Sequence, residues 1–215
     1  MSYEEDRFTA ERESMVENYL LAERVAGPAV LEAMGVVPRH RFMLPKTHAY
    51  AYHDQAMPIG EDQTISQPSV VAIAIEAAQI QAGHRVLDVG AGSGYQSALL
   101  SELGAEVFAV ERHPSLARAA RAALIASGYP DVKLKEGDGW RGWPEAGPFD
   151  AILLGAAPPH VPPELLHQLK PGGRMVLPVG DAYRQVLQRW TRTGDRWDQE
   201  DLLDVLFVPL IQGMP

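Results

Sequence analysis

The segment Leu87-Asp-Val-Gly90-Ala-Gly92-Ser-Gly94-Tyr95 constrains the fold of this chain more than any other. It joins a buried-strand pattern, Arg85-Val-Leu-Asp-Val-Gly90, to a stretch from Tyr95 to Leu103 whose apolar residues fall at helical spacing. The same alternation continues downstream. Glu106 to Glu111 reads as a second strand, and Pro114 opens an alanine-rich helix to about Ser127, with Gly128 where a helix stop belongs. Val132 to Glu136 is a third, weaker strand. Phe149 to Gly155 is a continuous apolar run, as suits a strand covered on both faces, with a short helix over Pro162 to Leu169 behind it. Pro171-Gly172-Gly173 turns the chain into a strand over Arg174 to Val179. Val186 to Arg192 and Leu202 to Ile211, around Thr193-Gly194-Asp195, read as an antiparallel hairpin. Strands alternating with helices and ending in a hairpin predict a doubly wound α/β sheet, mostly parallel, with an antiparallel C-terminal edge.

Residues 1–80 differ. Helical patterns over about 9–26 and 28–35 precede an irregular proline-containing link and a helix from about Ser69 to Gln81. Their apolar stripes (Leu20, Leu21, Val25; Val30, Leu31, Met34) need a surface to cover, so residues 1–80 are expected to cap a core of residues 81–215 within one unit. The chain has 215 residues, 46% hydrophobic and 22% charged, which excludes disorder as its main state. A net charge of −9 repels a phosphate backbone, and no nucleic-acid partner is expected. With no cysteine there is no disulfide, thiolate nucleophile or sulfur-based zinc site. The acidic start lacks the features of a secretion signal, and no stretch approaches a membrane span, so a cytoplasmic protein, and a monomer, is expected.

A dinucleotide fingerprint needs glycines at relative positions one, three and six; Tyr95 holds the sixth, so that fingerprint fails. What remains is glycine at 90, 92 and 94 with Asp88 two residues ahead. This spacing suits a ligand without a pyrophosphate but with an amino-acid end. Asp88 can face an ammonium, and the helix N-terminus near Gly94 can meet a carboxylate. S-adenosylmethionine has both. Glu111, closing the second strand, can accept the hydroxyls of a ribose, and Asp138-Gly139 after the third strand would lie beside the adenine, with Trp140 as a neighbour. Singly, each has a plainer explanation: a tight turn, a solvated strand end, a common turn pair, a packing tryptophan. Together they stand at the carboxyl ends of three consecutive strands, facing one crevice.

These residues belong to a wider pattern, the most specific part of which is Pro58-Ile-Gly60-Glu-Asp-Gln63-Thr-Ile-Ser66-Gln-Pro68 ahead of the glycine turn. With Arg41-Phe42, Ala51-Tyr52, Gly137-Asp-Gly-Trp140, Ala156-Ala-Pro-Pro159, Leu177-Pro-Val-Gly180 and Phe207-Val-Pro-Leu210, the chain resembles the protein-L-isoaspartate(D-aspartate) O-methyltransferases over nearly its whole length. Ser69, Gly155 and Ile211 depart from residues common in that family. The resemblance implies a seven-stranded, Rossmann-like sheet whose last strand pair is exchanged relative to other methyltransferases. It also implies S-adenosylmethionine as donor, S-adenosylhomocysteine as product, and isoaspartyl proteins and peptides as substrates.

Local sequence alone favours Ser66 as a helix cap; the resemblance reverses this and implies that it is the active-site residue. Gln63, Thr64 and Ile65 are implied beside it on the donor. Ile65, Ser66, Gly155, Ala156, Ala157, Val208 and Pro209 are implied around the acceptor. The acceptor is the free α-carboxylate of an isoaspartyl residue, ionised at neutral pH because its pKa is near ~3.5. Holding donor and acceptor in line then supplies much of the acceleration, with no strong general base. The methyl ester is expected to leave by attack of the following backbone nitrogen, and the resulting succinimide opens partly to normal aspartate. Seven histidines show no metal-type pairing, so no metal is expected, and Arg39-His40-Arg41 reads as a solvated basic turn. Two rivals stand beside this reading: a methyltransferase for small molecules, and a non-catalytic nucleotide-binding module.

Overall fold

The computed structural model describes residues 3–21 and 25–214. The central strands are apolar on both sides because both faces are covered. In β3 (Arg85–Val89) and β4 (Glu106–Glu111), Val86, Val107 and Ala109 enter one hydrophobic cluster, while Leu87, Val89, Phe108 and Val110 enter another. β5 (Lys133–Glu136), β6 (Phe149–Leu154), β7 (Leu169–Gly180), β8 (Gln185–Thr193) and β9 (Arg196–Val205) complete a seven-stranded sheet of order β5-β4-β3-β6-β7-β8-β9. β3 to β7 run parallel and β8 and β9 antiparallel. The last three strands thus stand in chain order, joined by hairpins.

The first cluster is covered by α3 (Pro68–Ala78), α4 (Tyr95–Glu102) and α5 (Pro114–Ala126), together with the N-terminal helices α1 (Tyr3–Met15) and α2 (Pro28–Val36). The second is covered by short 3₁₀ turns bearing Trp140 and Trp143, by the four-residue α6 (Pro163–Leu166), and by Val208 and Leu210. The strand order reverses between β3 and β6, where helices pass from one face to the other; a ligand crevice is expected there.

Several expectations are corrected. The helical pattern over 9–26 ends its α-helix at Met15 and continues as a π-helix over Val16–Leu21; residues 22–24 lie outside the described residues. Within its stripe Leu20 is buried, but Leu21 is 57% exposed. Residues 1–80 are not helical throughout. Met57–Gly60 and Gln63–Ile65 pair as an antiparallel ribbon, β1 and β2, whose turn holds Glu61 and Asp62 at positive φ. The helix over Pro162 to Leu169 is shorter than expected because Leu169 already pairs with Phe149 in β7. Pro171-Gly172-Gly173 is an irregularity inside β7, at which the pairing to β6 shifts register.

The hairpin's second strand starts directly after the turn, at Arg196, and ends at Val205. Residues 206–211 instead form a strap back across the sheet's end. There Ala157 N–H donates to Val208 O at 2.8 Å and Leu210 N–H to Ala157 O at 2.8 Å. The Arg39-His40-Arg41 cluster is only solvated at Arg41. Arg39 is fully buried, its guanidinium over the Tyr95 ring, and His40 stacks on Phe8 with ring centroids 4.1 Å apart. Burial pushes His40 down to about 4, and its Nδ1 lies 2.7 Å from the Tyr52 hydroxyl. Among the described residues no helix is long and apolar enough to cross a membrane.

Candidate active site

The crevice lies at the carboxyl ends of β3, β4 and β6. A cavity of about 560 Å³ is lined by Gly90 and Gly92 after β3, by Val110, Glu111, Arg112 and His113 at the end of β4, and by Gly139 after β5. Gly155 and Ala156 after β6 close its inner wall; Gln63 and Thr64 of the ribbon and residues 208–211 of the strap close the rest. A smaller cavity of about 360 Å³ continues beyond Thr64, Gly90, Gly92 and Gly155 to Ile65, Ser66, Ser93, Tyr95 and Gln96. On the outer side of Thr64 and Ser66 lies an open groove of about 840 Å³, walled by Ala56, Gln67, Val70 and residues 204–207. Ser66 lines both the inner cavity and this groove.

Glycine forms the floor because two strand ends meet there. A Cβ on Gly155 would stand 2.7 Å from Gly90 O. At Gly139 a Cβ would stand 2.9 Å from Val89 Cγ1 and 3.0 Å from Leu210 Cδ1. The Glu111 carboxylate lies against the turn, Oε2 accepting from Gly92 N–H at 2.8 Å and Oε1 from His113 N–H at 2.9 Å. Each oxygen keeps a lone pair for a further donor.

Of the residues expected around a donor, Gln63, Thr64, Gly90, Gly92, Glu111 and Gly139 line the larger cavity, and Ile65 and Ser66 the smaller. Asp88, Gly94 and Asp138 line neither. The Asp88 carboxylate is fully buried and turned into α4, where Ser97 Oγ and Gln96 Nε2 donate to it. Burial raises it to about 6. Gly94 is the N-cap of α4; its Cβ would meet Leu124 Cγ at 3.2 Å and Ala120 Cβ at 3.3 Å, so it serves the packing of α4 on α5. Asp138 holds Trp140 N–H with one oxygen and Gly213 N–H with the other, tying the strap down. Ala157 is likewise buried under the strap, while Gly155, Ala156, Val208 and Pro209 line the larger cavity.

Sequence reasoning missed Val110, Arg112, His113 and Leu210, although Arg112 and His113 directly follow the strand-ending acid, a position that could have been read. It also missed residues 204–207, which carried no signal because they were assigned to a strand. Ser66 is not a helix cap: the N-cap of α3 is Gln67, and Ser69 N–H is capped by Asp54.

The family model described as protein-L-isoaspartate(D-aspartate) O-methyltransferase matches residues 10–214. A protein-L-isoaspartate O-methyltransferase of Methylorubrum populi is 50% identical over 206 residues, 95% of this chain and 97% of that protein. One from Opitutus terrae is 47% identical over 215 residues, 100% of this chain and 92% of that protein. A crystal structure from Plasmodium falciparum, described as a complex of such an enzyme with S-adenosyl-L-homocysteine, shares the fold. Its TM-score is 0.83 at 24% identity, over 94% of this chain and 99% of that one.

Proposed function

The chain belongs to the protein-L-isoaspartate(D-aspartate) O-methyltransferase family, and from that premise we propose how its crevice works. The protein transfers a methyl group from S-adenosylmethionine to the free α-carboxylate of L-isoaspartyl residues in damaged proteins and peptides. This starts repair, because the ester is lost through an uncatalysed succinimide.

The cleft fits the donor in its chemistry. Its two cavities share Thr64, Gly90, Gly92 and Gly155 as lining, which makes one continuous space from Glu111 to Ser66. Where Gly90 and Gly155 meet, a Cβ on Gly155 would strike Gly90 O, so the two strand ends pack backbone to backbone along the cavity they both line. Glu111 would hold the ribose hydroxyls, with Val110, Gly139 and Leu210 along the base. Gly90, Gly92, Thr64 and Ile65 would enclose the methionyl end. Asp88 and Gly94 would act at one remove, by holding α4 and the turn it starts from. When bound, the donor supplies a sulfonium methyl that a carboxylate oxygen displaces.

The rest of the mechanism belongs to this chain. The acceptor arrives ionised, so no residue needs to remove a proton. Ser66 donates its hydroxyl hydrogen to that carboxylate and holds it in register; its position at the junction of inner cavity and outer groove is the observation that carries this reading. It is no nucleophile, since no base is hydrogen-bonded to it among the described residues. Ile65, Gly155 and Ala156 present small or apolar surface to the acceptor, and Ala157, Val208 and Pro209 shape it through the strap. We further propose that residues 1–80 serve as the cap and 81–215 as the donor-binding core of one unit. A cytoplasmic monomer acting on ageing proteins, and not on nucleic acid, completes the reading; the net charge of −9 supports the last point.

Labelled methyl transfer to an isoaspartyl peptide and to its aspartyl twin is the test. Label on the isoaspartyl peptide alone is expected; equal labelling of both, or none, removes the assignment.

A further inference from the structure

Ser66 lies between two elements, β2 and α3, and its hydroxyl has no hydrogen-bond partner among the described residues. Its place is therefore set by the backbone on either side. On the N-terminal side the ribbon register, Met57 opposite Ile65, fixes it. On the C-terminal side Pro68 suits the first position of α3, where an N–H would have no partner in the helix, but the side chain of the N-cap residue Gln67 caps no backbone amide of α3.

That end is held from a distance. Asp54 Oδ1 accepts from Ser69 N–H at 2.8 Å, and Oδ2 accepts from Gln67 Nε2 at 2.8 Å. The same Gln67 nitrogen lies 2.9 Å from Ser69 Oγ. One carboxylate thus satisfies a first-turn amide, places a negative charge at the helix N-terminus and holds the side chain next to Ser66.

Asp54 is itself placed by a buried cation. Arg39, fully buried, donates from Nε to Ala51 O at 2.9 Å and from Nη2 to Gln55 O at 3.3 Å, clamping both ends of the short link that carries Asp54. Its guanidinium lies 5.2 Å from the centroid of the Tyr95 ring, which lines the inner cavity. The path from Arg39 through residues 51–55 and Asp54 to Gln67 and Ser69 is continuous and ends beside Ser66.

We propose that Asp54 is a positioning residue for methyl transfer, holding the Ser66 hydroxyl at the junction of cavity and groove. The proposal rests on the reading that Ser66 meets the acceptor carboxylate. It is tested by a double-mutant cycle over wild type, Asp54→Ala, Ser66→Ala and the double variant, each measured for kcat/KM on an isoaspartyl peptide and for S-adenosylhomocysteine affinity by calorimetry. Asp54→Ala is expected to lower kcat/KM about 10-fold to 100-fold through misplacement of the hydroxyl, with little change in S-adenosylhomocysteine affinity. The double variant should lose no more than Ser66→Ala alone. Asp54→Asn keeps an oxygen for Ser69 N–H but turns a donor toward Gln67 Nε2, so its loss should be intermediate; it carries the cycle if Asp54→Ala does not fold. Additive losses in the double variant, or an affinity loss equal to the loss in transfer, would overturn the role of Asp54 and leave Ser66 untouched. If Ser66→Ala alone transfers normally, the reading of Ser66 fails and the proposal falls with it.

Discussion

Ser97 donates its hydroxyl hydrogen to Asp88 across 2.5 Å, tying the end of β3 to α4. The carboxylate has no exposed surface, and burial outweighs the bonds from Ser97 and Gln96, raising it from 3.8 to about 6. Between about pH 4 and 6 the unfolded chain has released a proton that the native chain keeps. This group's contribution to stability therefore falls as pH rises through that window, and is constant above it. Two pKa units bound the effect at about 3 kcal/mol. Asp88→Asn removes the titration. Urea unfolding at pH 4 and pH 7 should show the variant gaining on wild type as pH rises; parallel curves would mean that Asp88 titrates normally.

Glu111 binds two backbone amides and faces the cavity with what remains of its oxygens. Glu111→Gln keeps one acceptor and must turn an NH₂ toward either Gly92 N–H or His113 N–H. The loss of a charge-assisted bond, about 1.5–3 kcal/mol, should weaken S-adenosylhomocysteine binding roughly 10-fold to 100-fold. Calorimetry checks it, and unchanged affinity would remove Glu111 from the donor site.

The parts of this fold legible in the sequence are those whose environment is uniform. β3, β4 and β6 have both faces covered, so Leu87, Val89, Phe108, Val110, Ile152 and Leu154 appear as unbroken apolar runs. Gly90, Gly92 and Glu111 were legible because a strand end restricts which residues fit there. The ribbon was not: β1 and β2 are too short to show alternation, Pro58 interrupts the first, and left-handed Glu61 and Asp62 are unusual turn residues. An acid after a strand is also visible without its direction. Asp88 and Asp138 turn toward protein amides, a hydroxyl and a side-chain amide, and only tertiary packing decides that. Residues 206–211 misled for the same reason, since their apolar character comes from crossing the cleft and not from pairing in the sheet.

Two glycines separate stability from binding. At Gly94, φ is +88° and a Cβ would press on Leu124 and Ala120 in α5. Gly94→Ala should lower stability by about 1–3 kcal/mol and shift the unfolding midpoint. At Gly139, φ is not left-handed, but a Cβ would push Val89 and Leu210 at the cavity wall. Gly139→Ala should instead show its larger effect in S-adenosylhomocysteine affinity. Melting curves and calorimetry on both variants check the split; the reverse pattern would place Gly94 at the donor and Gly139 in packing.

Ser66 separates donor binding from transfer. It lines the smaller cavity and the groove, but not the larger cavity that holds Glu111 and Gly139. Removing its hydroxyl takes no group from the larger chamber and leaves no buried partner unsatisfied, because the hydroxyl binds none among the described residues. Ser66→Ala should therefore keep S-adenosylhomocysteine affinity and thermal stability close to wild type. Transfer to an isoaspartyl peptide should fall by about 10-fold to 1000-fold, the range for losing one oriented hydrogen bond at a reacting oxygen. Single-turnover transfer at saturating donor reads the chemical step directly. A rate equal to wild type would remove the hydroxyl from the mechanism and leave orientation of the carboxylate to the backbone around Ile65 and Gly155.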